Sequence, residues 1–444
     1  MKRVWARFNL ICGAKPTAKR TIWLVGMLFL LAFTCRVAYI LKAQTFNDGA
    51  DEIERAAASF AREGVIGNIF MGSPGKSAFA APLYPTFLGC IYFVFGWDTL
   101  AGRVAQGLFA IFAASLGIGL LPLIARKVQL PMKSGWIAGI IMAVLPLNLW
   151  VETSGKFEYP YAPLMLLSLL WVFHVLHDER WTHRRIVLLA GFLLGLAALL
   201  SPAFLPVGFL MLIAELWSQE GRRKQILKEG LLLLAVFLVV VTPWIIRNYY
   251  ALGGFVPIRS NFGLELLTGN NPQATGKSYT TSWNDLDSPT YRLHPNSNDK
   301  ERARLAQLGE LAYMREKQQT GLKWIKENPG RFVDLTLHRF RLFWFPPPDE
   351  WAPSSSARLF KSLLFCLIGV GMFCELFRLG ALRHSTRWLL AAAVFGPTIT
   401  YMITHVDPKF RYPIFGMSTL LACNFAFAAW RFAFQRQASS DRNL

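Results

Sequence analysis

The chain has 444 residues, of which 53% are hydrophobic and 17% are charged, whereas soluble domains carry about 25% charged residues. No charged residue occurs in 104–125, 186–214 or 412–430, and each stretch is long enough to cross a bilayer as a helix, which excludes an ordinary soluble protein. The net charge is +20, but the basic residues gather at the N-terminus and in short loops, as in membrane proteins, which argues against nucleic-acid binding.

Apolar segments follow one another along the chain without the period-2 alternation of a membrane β-barrel, so helices are predicted. These segments are 21–41, 82–97, 104–125, 135–151, 159–177, 186–200, 202–217, 230–246, 359–377, 388–404 and 412–430. The sequence therefore predicts an all-α polytopic membrane protein with about 10–12 transmembrane helices. It also predicts an amphipathic first external loop and a larger, mixed external loop domain.

The chain divides by composition into regions with predicted sides of the membrane. The basic N-terminus and the basic loops 219–228 and 378–387 are expected in the cytoplasm, so the two long polar regions are expected outside. Seven apolar segments lie between those two regions, and seven crossings would put the two regions on opposite sides of the membrane. One of the seven segments must therefore fail to span. The candidates are 82–97 and the hairpin 186–217. The predicted divisions are a basic N-terminus 1–20, a transmembrane module 21–246 with its first external loop 42–81, an external loop domain 247–357, C-terminal helices 358–431 and a polar tail 432–444.

Two amphipathic helices are predicted in the external regions. In the first loop, Ile53, Ala57 and Phe60 share one helical face, which suits a helix lying on the membrane surface. Residues 299–344 show a longer version, in which aromatic and basic residues alternate. This second helix either packs on its own domain or lies at lipid headgroups, where its cations would meet phosphates.

Acidic residues directly after the first helix are candidate catalytic groups. Asp48, Asp51 and Glu52 lie close to the predicted bilayer surface, where a carboxylate can act as a general base on an acceptor. Glu158, with Lys156, lies between the fourth and fifth segments, and ionisable groups near the bilayer are candidates for function. The alternatives are a solvated loop acid and, for Lys156 with Glu158, a mutual ion pair.

Basic residues at the outer ends of later segments are candidates for binding phosphate. Cations stabilise the negative charge on phosphate oxygens, and arginine can do so through two hydrogen bonds. The alternative is that these side chains reach toward the interface without binding a substrate. The candidates are Lys409, Arg411, Arg247 and Arg259.

The order of these motifs resembles the GT-C superfamily of membrane glycosyltransferases, and above all glycosyltransferase family 39 with its protein O-mannosyltransferase and aminoarabinose transferase branch. The motifs that carry the resemblance are Asp48-Gly-Ala-Asp51-Glu52, Ala81-Pro-Leu-Tyr84-Pro85, Pro243-Trp-Ile-Ile-Arg247-Asn248-Tyr249 and His405-Val-Asp-Pro-Lys409-Phe-Arg411-Tyr412-Pro413. The chain departs from its relatives at Ser201, where they often carry arginine, so no phosphate contact is expected there.

The resemblance implies an inverting transfer of a sugar from a polyprenyl-phosphate carrier, undecaprenyl-phosphate in a bacterium, to a lipid, glycan or protein acceptor. The reaction would occur at the outer, periplasmic face of the inner membrane. Asp51 is the implied base, with Glu52 in support and Asp48 in reserve. Arg411, Lys409, Arg247 and Arg259 would bind the donor phosphate. The implied substrate cavity is lined by Glu158, Lys156, Tyr84, His405, Tyr412 and Asn248.

Other classes of function remain open at the level of sequence. A polyprenol-linked glycan ligase or polymerase shares the substrate class but would rely more on arginine and histidine than on an early acid pair. A lipid or glycan flippase would show internal repeats around a midplane site, and the sequence has none. A non-catalytic scaffold would tolerate loss of Asp51. No cofactor is predicted, and although some GT-C enzymes use a divalent metal, the sequence offers no ligand set for one.

Overall fold

The computed structural model describes residues 18–44, 51–70, 75–145, 149–177, 183–278, 288–348, 355–382 and 384–440. The reserve acid Asp48 lies outside these residues. The described chain is helical almost throughout, and its β contacts are two isolated bridges, Gly67 with Lys76 and Lys277 with Val406.

Nineteen α-helices occur in the described residues. The first ten are α1 Ala18–Ala43, α2 Glu52–Glu63, α3 Leu83–Phe95, α4 Leu100–Lys127, α5 Met132–Val144, α6 Leu149–Ser154, α7 Ala162–His177, α8 His183–Leu200, α9 Leu205–Ser218 and α10 Arg223–Leu252. The remaining helices are α11 Phe262–Gly269, α12 Pro289–Leu293, α13 Asp299–Leu308, α14 Glu310–Glu327, α15 Pro329–Trp344, α16 Ser355–Leu382, α17 His384–Phe395, α18 Ile399–Ile403 and α19 Tyr412–Ser440.

Several of these helices are long and apolar enough to cross a membrane. Five segments have the required length and composition, and they correspond to α1, α4, α10, α16 and α19: Thr21–Ala43, Leu100–Lys127, Glu220–Leu252, Arg358–Leu379 and Pro408–Ala433. Four shorter apolar helices, α3, α5, α7 and α9, accompany them. Because about 20 apolar residues cover a hydrocarbon core, the described chain is a multi-pass, all-α membrane protein, as the sequence predicts.

Close approaches at glycines give the directions of the first helices. Gly107 of α4 packs against Ile40 of α1, and Gly119 of α4 packs against Phe29. Helix α4 therefore runs antiparallel to α1, and it begins at the end of the bundle where α1 finishes. We call this end, which holds Ala43 and Leu100, the loop end.

Helix α3 does not cross the bundle. The Tyr84 hydroxyl, near its start, donates to the carbonyl of Gly155, and the Tyr92 hydroxyl, near its end, donates to Gln106 Oε1 at 2.6 Å. Gly155 and Gln106 touch each other at the loop end, so both ends of α3 lie there. Segment 82–97 is therefore the apolar segment that fails to span.

The hairpin 186–217 does cross. Gly191 and Gly195 of α8 pack against Val236 and Val240 of α10, so these two helices run parallel, and Gly208 of α9 packs against Leu194 of the antiparallel α8. With α3 excluded, an even number of crossings separates the two polar regions, and both reach the loop end. They contact each other there, since Ser260 N donates to Ala78 O at 2.9 Å.

The first-loop helix α2 is less open than the sequence predicts. Its buried residues include Ala56, Ala57 and Ala58, and Gly89 of α3 lies directly against Ala57 and Phe60. Partners cover α2 both from α3 and from the larger polar region, so its position is set by packing as well as by any contact with the membrane surface. The burial holds its N-terminus in a fixed place.

Candidate active site

Four loop segments converge at the loop end and bring acidic, basic and aromatic side chains together. They are the start of α2, the turn 155–161 before α7, the segment 256–270 of the larger region and the turn 404–411 before α19. Lys409 lies against Phe157, His405 lies beside Glu265, and Asp51 and Arg259 act electrostatically on Glu158. We call the resulting group of side chains, built around Asp51, Glu158, Arg259 and Lys409, the loop-end cluster.

Asp51 is half-buried and caps α2. Its side chain accepts from the backbone N–H groups of Glu52 and Glu54, and the Glu54 carboxylate accepts from Asp51 N at 2.8 Å, which completes a capping box. Such reciprocal bonds fix the residue at the start of a helix. The carboxylate of Asp51 is therefore held in a defined position within the loop-end cluster.

Glu52 points toward the larger external region. It pairs with His294 Nε2 at 3.3 Å and accepts a short hydrogen bond from Asn296 Nδ2. Burial raises the pKa of the Glu52 carboxyl above its ordinary value, while His294 opposes the rise. Glu52 thus ties the loop that follows α1 to the segment 294–296.

Glu158 is the buried carboxylate of the cluster, with 8% of its surface exposed. Burial raises its pKa, Arg259 and Lys409 lower it, and Asp51 raises it further. Arg259, Lys409 and Asp51 therefore all act electrostatically on Glu158, although the four sequence positions span more than three hundred residues. In the part of the chain that the structure describes, Glu158 has no ion pair within 4.0 Å.

Arg259 enters the cluster from a firmly anchored segment. Its Nε donates to Phe79 O at 2.8 Å, and the next residue, Ser260, bonds Ala78 O through its backbone and Glu310 Oε1 through its hydroxyl at 2.7 Å. Among the described residues, the two terminal nitrogens of Arg259 have no hydrogen-bond or ion-pair partner. A fixed guanidinium with free donors is suited to bind an anionic group.

Lys409 and a set of aromatic rings form another side of the cluster. The ammonium of Lys409 lies 3.4 Å from Asp407 Oδ2 and 5.4 Å from the centre of the Phe157 ring. Tyr401 stacks on Phe410 with ring centres 4.3 Å apart. The cluster therefore presents an aromatic surface next to its cations.

His405 lies buried beside the aromatic rings. Its Nε2 is 3.5 Å from Glu265 Oε2, and its ring centre is 5.7 Å from that of Phe410. Burial lowers the pKa of His405, and the Glu265 and Asp407 carboxylates oppose the change. The structure thus places His405 beside Glu265 and Phe410, next to the cluster.

Arg411 does not lie in the cluster, although the sequence predicts it to bind phosphate. It is 1% exposed, donates to the carbonyls of Phe343, Trp344 and Phe365, and lies against two aromatic rings. Its guanidinium satisfies backbone carbonyls where α15 ends beside α16. We therefore assign Arg411 to the packing of the fold and leave it out of the candidate site.

Arg247 is also engaged by the backbone. Its terminal nitrogens donate to Ser77 O at 2.7 Å and to Ile66 O at 2.5 Å, and it lies over the Trp244 ring. Asn248 donates to Val256 O at 3.1 Å and accepts from Arg247. Both residues join the end of α10 to the external loops, and their contacts differ from the expected roles at a donor phosphate and a substrate cavity.

Two tyrosines expected in the cavity have internal partners as well. Tyr84 is 2% exposed and bonds Gly155 O, while Tyr412 is 2% exposed and donates to Glu152 Oε1 at 2.6 Å. Lys156 lies 3.9 Å from Glu54 Oε2. Their contacts are therefore with the protein itself.

Several residues of the site carry no signal in the sequence. Glu265 lies in the short helix α11, Tyr401 lies in an apolar segment, and His294 lies in a polar loop. Glu54 has the capping-box spacing from Asp51, which could have been recognised. In the described residues, no group of three or more His, Cys, Asp and Glu side chains is placed to hold a metal ion.

No protein-family model and no curated protein matches this chain. Among solved structures, it is similar to the archaeal oligosaccharyltransferase AglB from Archaeoglobus fulgidus in complex with an inhibitory peptide and a dolichol-phosphate, with a TM-score of 0.53 and 13% identity over 95% of this chain and 52% of that chain. The apo form of the Archaeoglobus fulgidus oligosaccharyltransferase gives a TM-score of 0.55 and 12% identity over 96% of this chain and 52% of that chain. The complex of that protein with Zn and sulfate gives a TM-score of 0.52 and 14% identity over 93% of this chain and 50% of that chain.

This chain therefore spans about half the length of the oligosaccharyltransferase that it resembles. At such low identity the likeness shows the fold, and the expected GT-C-like, all-α membrane fold is confirmed. The fold by itself does not establish the reaction, which has to be argued from the site.

Proposed function

We propose that this protein is an inverting membrane glycosyltransferase that moves a sugar from a polyprenyl-phosphate carrier to an acceptor hydroxyl or amine. The observation that carries the proposal is the loop-end cluster. It combines a positioned carboxylate, Asp51, with Arg259, a cation whose terminal donors are free. General-base transfer with a phosphate leaving group needs both kinds of group.

In the proposed reaction, Asp51 accepts the proton of the acceptor while the acceptor atom attacks the anomeric carbon of the sugar. The bond between that carbon and the phosphate oxygen breaks, and polyprenyl phosphate leaves with the electron pair. Attack opposite to the leaving group inverts the sugar carbon. Arg259 and Lys409 stabilise the charge that develops on the phosphate, which is where fixed cations contribute most to rate.

The remaining residues of the cluster have proposed supporting roles. The Glu158 carboxylate attracts the positive charges of Arg259 and Lys409. We therefore assign Glu158 to orienting these two cations or the sugar. The stacked rings of Tyr401 and Phe410 offer an apolar face to a sugar ring. Glu52 with His294 holds the first external loop against the larger loop domain, 247–357, which would shape the acceptor site.

The lipid character and location of the donor are also part of the proposal. The structural neighbour was solved with a dolichol-phosphate, which supports a lipid-phosphate ligand for this fold. The basic loops 219–228 and 378–387 follow helices that run away from the loop end, so the positive-inside rule assigns the loop end to the outside. We infer a bacterial inner membrane, a periplasmic site and undecaprenyl phosphate as carrier, in a family 39-like branch of GT-C enzymes.

The proposal is tested with purified protein in proteoliposomes and a panel of radiolabelled undecaprenyl-phosphate monosaccharides, with total membrane lipid and glycan as acceptors. We expect release of undecaprenyl phosphate together with a labelled product whose anomeric configuration is inverted. Turnover only with a pyrophosphate-linked oligosaccharide would favour the ligase class instead. Lipid translocation without any glycosyl transfer would contradict the proposal and favour a flippase.

A further inference from the structure

A buried polar bridge connects the start of α2 to the turn that carries Glu158. Its central residue is Glu54, which is 6% exposed. Its Oε2 accepts from Asp51 N at 2.8 Å and lies 3.9 Å from Lys156 Nζ, and its Oε1 accepts from Gln106 Nε2 at 2.9 Å. One carboxylate thus contacts the proposed base, a helix of the bundle and the turn 155–161.

Gln106 of α4 is the second member of the bridge. It is 2% exposed, and its Nε2 donates both to Glu54 and to Ser154 O at 2.9 Å, while its Oε1 accepts from the Tyr92 hydroxyl. Both polar atoms of this side chain are therefore hydrogen-bonded, and their partners lie in α2, α6 and α3. Gln106 therefore fixes α2 relative to residue 154, four positions before Glu158.

The turn itself leaves little room for movement. Gly155 has φ +61°, and a Cβ atom there would lie 2.7 Å from Gln106 O. Lys156 is 6% exposed and extends its ammonium to Glu54. The turn is held by its backbone conformation and by a charge, so the bridge sets the separation between Asp51 and Glu158.

We infer that Glu54, Gln106 and Lys156 are positioning residues, which hold the Asp51 carboxylate at a set distance from the other members of the loop-end cluster. This inference rests on the proposed function. Buried ionic groups of this kind contribute little net stability compared with apolar residues of the same shape. Their contribution is to geometry, because a displacement of about 1 Å at a reacting group can cost about 10²-fold in rate.

The inference is tested with Glu54→Leu and Glu54→Gln. Leucine removes the acceptor for Asp51 N, whereas glutamine keeps a side-chain oxygen for the capping box. We expect Glu54→Leu to lower kcat by about 10²-fold with the donor KM unchanged, and Glu54→Gln to recover most of that loss. A rise in KM at constant kcat, or equal losses in both variants, would overturn the inference.

A matched control is available at Glu375, which is also buried and also paired with a cation, Arg378, at 2.6 Å. Its partner Asn424 lies in α19, away from the loop segments. Glu375→Leu should lower the melting temperature and leave kcat of the folded fraction unchanged. If Glu375→Leu lowered kcat as much as Glu54→Leu does, the loss in Glu54→Leu would be explained by general destabilisation, and the inference would be overturned.

A second variant and a second measurement keep the inference separate from the proposed activity. Gln106→Met is similar in size and removes both donated bonds, so it should reproduce the kcat loss if Glu54→Leu fails to fold. Hydrogen exchange of residues 51–63 should be faster in either variant than in wild type and in Glu375→Leu. If wild type transfers no sugar, the proposed function fails, and unchanged exchange in the variants would overturn the bridge itself.

Discussion

Arg36 Nε lies 2.7 Å from Glu152 Oε2, and both side chains are fully buried within the helical bundle. Arg36 also donates to the carbonyls of Ala32, Ala143 and Met142, and Glu152 accepts from the Tyr412 hydroxyl. The pair therefore joins α1, the end of α5, α6 and the start of α19. A buried ion pair can be sustained only when its remaining polar atoms are also satisfied.

The Tyr412 contact gives a prediction about stability. Tyr412→Phe removes one hydrogen bond to a buried carboxylate and keeps the ring, so it should cost about 1.5–3 kcal/mol in the free energy of unfolding. The measurement is thermal unfolding in detergent, with Tyr250→Phe as the control, since Tyr250 is 82% exposed. Equal melting temperatures for Tyr412→Phe and wild type would contradict the assignment of Tyr412 to packing.

Arg259 and Arg411 give a paired prediction that separates function from packing. Arg259→Met removes the free terminal donors of the cluster, so transfer should fall by roughly 10²–10³-fold. It also loses one bond to Phe79 O, so its melting temperature should fall less than that of Arg411→Met, which loses three. Arg411→Met leaves backbone carbonyls without their donor at about 1–3 kcal/mol each, so it should lower the melting temperature instead. The two effects are measured by initial transfer rates and by thermal unfolding of the same preparations.

The opposite pattern would reverse the two assignments. A stable Arg411→Met protein without transfer would return Arg411 to the donor site. An unstable but fully active Arg259→Met protein would remove Arg259 from it.

Glu158 predicts a pH dependence of stability. Burial raises the pKa of its carboxyl above 4.5, so the folded protein binds this proton more tightly than the unfolded chain does. The resulting stabilisation is complete below pH 4.5 and is lost as the pH rises through the folded pKa. Glu158→Gln should therefore melt at a higher temperature than wild type at pH 8, with a margin that shrinks toward pH 5. A margin that grows toward pH 5 would contradict this account.

The fold was largely predictable from the sequence because long apolar segments determine the helices. The apolar segment 82–97 could not be assigned in this way, since its composition equals that of a spanning helix. Only the hydrogen bonds of Tyr84 and Tyr92 to one end of the bundle show that α3 does not cross. Those partners lie 14 and 71 residues further along the chain, and hydropathy does not reveal such contacts.

The basic residues show where sequence reasoning about the site reaches its limit. Arg247, Arg259 and Arg411 all follow or precede apolar segments, and nothing local distinguishes them. Arg259 keeps free donors because Phe79 O holds only its Nε, whereas Arg411 is enclosed by carbonyls of α15 and α16. These differences arise from contacts more than forty residues away in sequence, so they require the structure.

The central claim is that Asp51 is the catalytic base, and one substitution tests it most directly. Asn is as good a helix cap as Asp, so Asp51→Asn keeps the start of α2 and removes only the proton acceptor. Asp98→Asn is the control, because Asp98 is an exposed acid of the same end of the bundle, paired with Arg103. Initial rates of sugar transfer from undecaprenyl-phosphate donors should fall by about 10²–10⁴-fold in Asp51→Asn, with normal expression and melting temperature, and remain unchanged in Asp98→Asn. Wild-type rates in Asp51→Asn would contradict the claim.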